Sequence, residues 1–298
     1  MISINTKAKT VQITLKALAK LPFSIAQRIG LFLGFLLYII PNPIRKVVNT
    51  NIKRCFPNES PQAQQQLICR SLMQVVASAA EYGAWWLWPP QKLAPLIHHV
   101  YGEEHLQAAR AKGKGILILA PHLGAWEIAQ GYMPSRYACS IMYRPLRITA
   151  LEEFVKVARE RGGGDLLPLT PGGIREAYAK LARGELLAIL PDQVPTKNGG
   201  VFAPFFGIPA WTMTFVLKLA QKTQAEVFIG YGQRLRGGKG FDIHFEPVNP
   251  EIYNPDLTLA ATAMNGDIEA CVRKIPEQYQ WAYKRFKVQP TDEKKFYS

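Results

Sequence analysis

The charge-free run Ile116-Leu117-Ile118-Leu119-Ala120, entered from Gly115 and stopped by Pro121, reads as a strand buried on both faces. Such a strand needs helices above and below it, which limits the chain to sheet architectures with both faces covered. The residues that follow, Pro121-His122-Leu123-Gly124-Ala125-Trp126-Glu127, read as a turn into a helix. His122 therefore stands at a strand's exit, with a carboxylate five positions later.

On one continuous helix that spacing would set the two side chains about 140° apart, so they meet only if His122 lies in the turn and Glu127 on the helix beyond it. A neutral imidazole that donates one ring N–H to a carboxylate keeps its other nitrogen free to take a proton from a hydroxyl. Glu127 is the expected orienter and His122 the expected base. The alternative is a loop histidine beside an unrelated helix glutamate, since an H-x4-E pattern also arises by accident.

From about residue 114 the pattern alternates. Strands are expected at 116–120, 139–143, 165–169, 186–190, 226–231 and 241–246, with helices from about 125 and at 149–161, 173–183, 211–223 and 258–274. This alternation predicts an α/β fold with a largely parallel sheet flanked by helices. Ligands of such sheets collect at the carboxyl ends of the strands. Tyr143-Arg144-Pro145 closes one strand and Pro191-Asp192-Gln193 another, so a base, a cation and a carboxylate can converge there. Arg159 and Arg161 end a helix before Gly162-Gly163-Gly164, where they either bind an anion or complement the helix's negative end. His98, His99 and His105 have no acidic or cysteine pattern at metal-ligand spacing and are expected to be surface or core histidines.

Upstream, Ile29 to Ile40 runs without a charge, which is short for a membrane span of about 20 residues. Lys16, Lys20 and Arg28 precede it, and Arg45, Lys46, Lys53 and Arg54 follow it, which suits a helix lying on anionic lipid. Pro41-Asn42-Pro43 does not resemble a signal-peptidase site. A buried core helix is the other reading. Residues 61–87 read as a helix ending in Trp85-Trp86-Leu87-Trp88, a cluster suited to a membrane interface or to closing a core. With 298 residues the chain can bury a sizeable core. Its 36 Lys+Arg against 22 Asp+Glu favour an anionic partner: nucleic acid, an anionic membrane or a phosphorylated substrate. Four cysteines without a C-x-x-C pair suggest neither zinc nor a disulfide framework.

The motifs, in order, resemble the lipid A late acyltransferases, the lauroyl and myristoyl transferases of Gram-negative bacteria, within the wider glycerolipid acyltransferase group that carries H-x4-D/E. The matching segments are Asn51 to Pro57, Gly102 to Leu106, His122 to Glu127, Tyr143-Arg144-Pro145, Pro191-Asp192-Gln193, Pro204 to Gly207, Pro276 to Trp281 and Lys284-Arg285-Phe286. Where the glycerol-phosphate branch has an F-P-E-G-T-R-like block, this chain has Leu190-Pro191-Asp192-Gln193, which argues against a simple glycerol-phosphate acceptor.

The resemblance implies a membrane anchor over 1–45 and an acyltransferase domain over 46–298. It also implies direct transfer of an acyl group from acyl carrier protein to a hydroxyl on an acyl chain of a lipid A precursor. His122 would be general base, with Glu127 its orienter. Arg144, Arg159 and Arg161 would hold acceptor phosphates or stabilise the thioester oxyanion, and Asp192 would hold a nearby arginine. No cofactor or metal is expected. The implied location is the bacterial inner membrane, with the catalytic domain on the cytoplasmic side. The absence of a G-x-S-x-G elbow fits direct transfer. Alternatives are a lysophospholipid or other glycolipid acceptor, a non-catalytic membrane-peripheral binding protein, and a nucleic-acid binder, the last weakened by the lack of any recognisable nucleic-acid motif.

Overall fold

A computed structural model describes residues 4–145, 149–290 and 296–297, so the first three residues of the expected anchor lie outside the described chain. Four helices come first: α1 (Ile4–Ala19), α2 (Phe23–Ile39), α3 (Pro43–Cys55) and α4 (Pro61–Leu87). The sequence starts α3 and α4 in the same way. Asn42 and Ser60 accept hydrogen bonds from the backbone three residues on, and Pro43 and Pro61 take the first helical position, where no N–H is needed.

The alternating region follows. It comprises α5 (Pro90–Leu93), β1 (Ile97–Tyr101), α6 (Glu103–Ala111), β2 (Ile116–Leu119), α7 (Trp126–Tyr132), β3 (Cys139–Tyr143), α8 (Thr149–Glu160), β4 (Asp165–Pro168), α9 (Pro171–Ala182) and β5 (Leu186–Ile189). A hairpin, β6 (Gly200–Phe205) and β7 (Ile208–Met213), then leads to α10 (Phe215–Thr223), β8 (Glu226–Arg234), β9 (Phe241–Pro247) and α11 (Leu257–Lys274).

The seven-stranded sheet has the order β1-β9-β8-β2-β5-β3-β4, with β2 at its centre. All neighbours run parallel except β8 and β9, so the expected largely parallel α/β sheet is present. Both faces are covered. Leu117, Leu119, Leu187 and Ile189 pack with α9, α10 and α11 on one side, and Ile116, Ile118, Leu186 and Ala188 pack with α6 and Tyr132 on the other. That division follows from the alternation of side chains along a strand.

One expected element needs correction, and one strand was not expected. Residues 211–213 are strand, not helix, because they pair with 200–202 in the hairpin. The hairpin was illegible because Pro204 and Gly207 signal loop, yet Pro204 is tolerated opposite Pro209 in a two-stranded sheet whose strands are both edges. β1 was also missed, and His98, His99 and His105 are all exposed on it and on α6.

The anchor expected over 1–45 falls on α1, α2 and the start of α3. Among the described residues no single helix is long and apolar enough to cross a membrane, and α2 and α3 pass that test only as a pair bent by 84°. One face of α2, carrying Phe23, Ala26, Gln27, Gly30 and Gly34, is buried. Gly30 is needed there, since a Cβ would sit 2.7 Å from the Ala77 backbone of α4. The other face leaves Ile25, Ile29, Phe32, Leu33, Phe35, Ile39 and Ile40 exposed. The tryptophans behave differently: Trp85 and Trp88 close a core with Phe23 and Phe241.

Candidate active site

Strands β2 and β5 lie side by side and parallel, so the segments leaving their carboxyl ends emerge together. One segment carries His122 and the other Asp192. The Asp192 carboxylate accepts from the His122 ring Nδ1 at 2.8 Å and from the His122 backbone N–H at 2.9 Å. Burial raises the Asp192 pKa, but the His122 charge and these hydrogen bonds outweigh it, with help from Arg285, and hold it below the ordinary carboxylate value. With Asp192 ionised, Nδ1 is the donor, so in the neutral imidazole Nε2 carries the lone pair. The Gln193 side-chain amide lies 3.0 Å from Nε2. Trp126 packs against the ring, with centroids 5.0 Å apart.

The turn bearing His122 is fixed from outside. The His122 carbonyl accepts from the Gln280 N–H, Gly124 N–H donates to the Gln278 carbonyl, and Ala125 N–H donates to the Gly232 carbonyl. Gly124 has φ 62° and lies against the Gly232 carbonyl, so a side chain there would meet both backbone strain and a clash. Beneath the turn, Glu81 and Arg234 form an ion pair exposed by only 1% and 2%.

The carboxylate that meets the ring therefore differs from the one expected. His122 lies in the turn and Glu127 on α7, as the spacing requires, but the hydrogen bonds of Glu127 go to Arg159. The reason is topological: adjacent parallel strands deliver Asp192 directly beneath the imidazole, whereas α7 carries Glu127 toward α8. Among the described residues, Asp192 in turn bonds to His122 and not to an arginine. The nearby Arg285 donates to the Trp211 carbonyl and the Thr212 hydroxyl. Burial lowers the Arg159 pKa, but Glu127 more than compensates and leaves it raised.

Two cavities meet here. The smaller, of about 220 Å³, is lined by His122, Trp126, Glu127, Arg144, Arg159 and Lys156 among others. The larger, of about 500 Å³, is lined mainly by apolar groups including Trp85, Leu93, Ile128, Gly131, Tyr132 and Ile141. Glu127, Arg159 and Trp86 line both, so the Glu127–Arg159 pair stands at their junction. Arg144 is exposed and lines the His122 cavity, which places the expected base, cation and carboxylate together. Arg161 lines the larger cavity instead and reaches the Trp86 carbonyl at 3.4 Å.

Several contributors went unassigned in the sequence: Gln193, Trp126, Gln278, Gln280, Arg285 and the Tyr279 hydroxyl, whose pKa burial and Asp192 push well above the ordinary value. All except Trp126 fall in the Pro191-Asp192-Gln193, Pro276 to Trp281 and Lys284-Arg285-Phe286 segments, so the signal lay in the clustering of motifs far apart in the chain.

The profile of the family described as bacterial lipid A biosynthesis acyltransferase matches residues 6–288. Among curated relatives, the lipid A biosynthesis lauroyltransferase of Escherichia coli strain K12 is 28% identical over 274 residues, covering 91% of this chain and 88% of that one. The palmitoleoyltransferase of the same organism is 26% identical over 271 residues, covering 89% and 87%. A phosphatidylinositol mannoside acyltransferase of Mycobacterium tuberculosis is 28% identical over 181 residues, covering 56% and 57%. With the match extending through the helical N-terminus, the central His122 turn and the segments that clamp it, the chain belongs to the bacterial lipid A biosynthesis acyltransferase family.

Proposed function

We propose that the protein transfers a fatty acyl group from the thioester of acyl carrier protein to a hydroxyl on an acyl chain of a lipid A precursor. The observation that carries this reading is the position of His122. Its Nδ1 is held by a buried carboxylate, and it lines a cavity that shares Trp86, Glu127 and Arg159 with a larger, mainly apolar one of about 500 Å³. That volume is within the range of ligand pockets and suits a fatty chain.

In this mechanism the acceptor hydroxyl gives its proton to His122 Nε2 as its oxygen attacks the thioester carbonyl carbon. The tetrahedral intermediate then collapses, the C–S bond breaks, and the imidazolium returns the proton to the leaving sulfur, giving an ester and a thiol. Asp192 holds the imidazole and stabilises its charged form. Glu127 acts through Arg159, keeping a guanidinium at the junction where the oxyanion develops. Arg144 and Lys156, at the acceptor side, suit phosphate groups, and Arg161 lies further along the apolar cavity.

The exposed apolar face of α2, with Arg28, Arg45, Lys46, Lys53 and Arg54 in the same region of sequence, supports seating on an anionic membrane. An inner-membrane location with the site toward the cytoplasm follows from a carrier-protein donor. The Mycobacterium relative keeps a second acceptor in view, a glycolipid other than a lipid A precursor.

The test is transfer of labelled acyl groups from acyl carrier protein to a panel of acceptors, comparing wild type with His122→Ala and Glu127→Ala. The expected result is transfer to the lipid A precursor that collapses in both variants. Transfer to no lipid, or full activity in both variants, overturns the proposal.

A further inference from the structure

The nitrogen assigned as the base is already occupied. Gln193 Nε2 lies 3.0 Å from His122 Nε2. Since Nδ1–H is donated to Asp192, the only in-plane lone pair of the ring is on Nε2, and an amide N–H is the group that satisfies it. The contact is built into the backbone. Asp192, one residue before, is bound to His122 through both carboxylate oxygens, and Val194, one residue after, donates its N–H to the Tyr283 hydroxyl at 3.0 Å. Gln193 is thus suspended between two fixed neighbours with its amide over the base.

We propose that Gln193 is a positioning residue that guards the base: its amide occupies the Nε2 lone pair until the acceptor hydroxyl takes its place, which withholds the base from water. The inference rests on the reading of His122 as the general base of acyl transfer. An unguarded base beside a bound thioester would also deprotonate water. The water oxygen would attack the carbonyl carbon, the C–S bond would break, and a carboxylic acid and a thiol would leave, wasting the donor.

The guard discriminates because an acceptor held along its whole length can use remote binding energy to displace the amide, whereas a single water cannot. The arriving hydroxyl compensates the displaced group, since its oxygen can accept the Gln193 N–H while its own hydrogen points at Nε2. After proton transfer the same side chain serves the imidazolium. A half-turn of the terminal amide presents Oε1 to the new Nε2–H, and glutamine is suited to this because it carries donor and acceptor on one planar group.

The decisive variant is Gln193→Met, which keeps the length of the side chain and removes the donor; Gln193→Asn, one methylene shorter, is the second should the first fail to fold. Two readouts are needed. In the first, acyl carrier protein loaded with a fatty acid is incubated with and without acceptor, and released fatty acid is compared with acylated product. Hydrolysis relative to transfer is expected to rise about fivefold in Gln193→Met, the factor worth one ordinary hydrogen bond.

The second readout needs no lipid. Diethyl pyrocarbonate acylates an unprotonated imidazole nitrogen, and the rate at His122 is read by peptide mass spectrometry against exposed His105. Gln193→Met is expected to react about fivefold faster than wild type. Equal rates at His122, or an unchanged ratio of hydrolysis to transfer in an enzyme that transfers, overturn the guard. If the wild type transfers to no acceptor, the proposed function falls, and the His122 acylation rates still decide whether the amide caps the nitrogen.

Discussion

Asp192 holds His122 twice, with one carboxylate oxygen on the ring Nδ1 and the other on the backbone N–H of the same residue. A single contact would leave the imidazole free to tilt about the hydrogen bond. Two contacts from one rigid carboxylate fix both the ring and the main chain that bears it, and join the exits of two adjacent parallel strands. The site is therefore a property of the sheet.

An amide at position 192 cannot accept both hydrogen bonds. Asp192→Asn is expected to lower kcat by about a thousandfold or more, through loss of the donor-acceptor match at Nδ1 and of the stabilised imidazolium. KM for both substrates should move little, because Asp192 lies behind the ring. Steady-state kinetics check this, and a near-normal kcat would refute the assignment of Asp192 as orienter.

The lowered pKa of Asp192 also makes a signed prediction for stability. A carboxyl group whose folded pKa lies below its unfolded value stabilises the protein above the unfolded value, and that contribution is lost as pH falls through the folded one. The gap in Tm between wild type and Asp192→Asn should narrow as pH falls below the ordinary carboxylate value of 3.8. Thermal melts of the two proteins across that window test it, and a gap that widens on acidification would contradict the sign.

Local pattern carried most of the sheet. The apolar runs that begin at Ile116 and Leu186 form β2 and β5, strands buried on both faces, and the residues leaving them form the site. The partner of His122 was not legible, because Glu127 is near in sequence while Asp192 is 70 residues away, and only strand order decides which carboxylate arrives. The N-terminal run Ile29 to Ile40 was ambiguous for a related reason. Its composition is apolar on every side, and only packing against α4 reveals which face is covered.

The Glu81–Arg234 pair lies under the His122 turn and is tied to it through Gln278, which accepts from Arg234 N–H and, by its carbonyl, from Gly124 N–H. Gln27, Gln74 and Ser78 complete its hydrogen bonds. Removing one partner strands a buried charge, which costs about 3–5 kcal/mol. Glu81→Gln should therefore lower Tm by roughly 10 °C. The double variant Glu81→Met with Arg234→Met should recover much of that loss, because two well-packed apolar groups replace the pair without an orphaned charge. Melting curves of the three proteins test this, and a double variant weaker than Glu81→Gln would refute it.

On α2, Phe32 is 61% exposed and Leu33 48%, on the face away from α4. Charges there leave the packed face untouched, so Phe32→Glu with Leu33→Glu should fold normally yet lose most of its cosedimentation with anionic vesicles. Vesicle binding that survives the double substitution would move the membrane contact elsewhere.

The larger cavity gives a prediction about the donor. Gly131 lines its wall, and a Cβ built there meets nothing within 4 Å, so a side chain added at this position extends into open space instead of into the backbone. Leucine at 131 would occupy volume that a long acyl chain needs and a short one does not. It should also be tolerated by α7, since leucine favours helix over glycine by roughly 0.5–1 kcal/mol. Gly131→Leu is therefore expected to shift selectivity toward shorter acyl groups, by about tenfold per two methylenes excluded. Competition between carrier proteins loaded with different fatty acids measures that ratio. If the preference stays the same while transfer continues, the acyl chain lies outside this cavity, and the roles proposed for Glu127 and Arg159 at its junction would have to be reassigned.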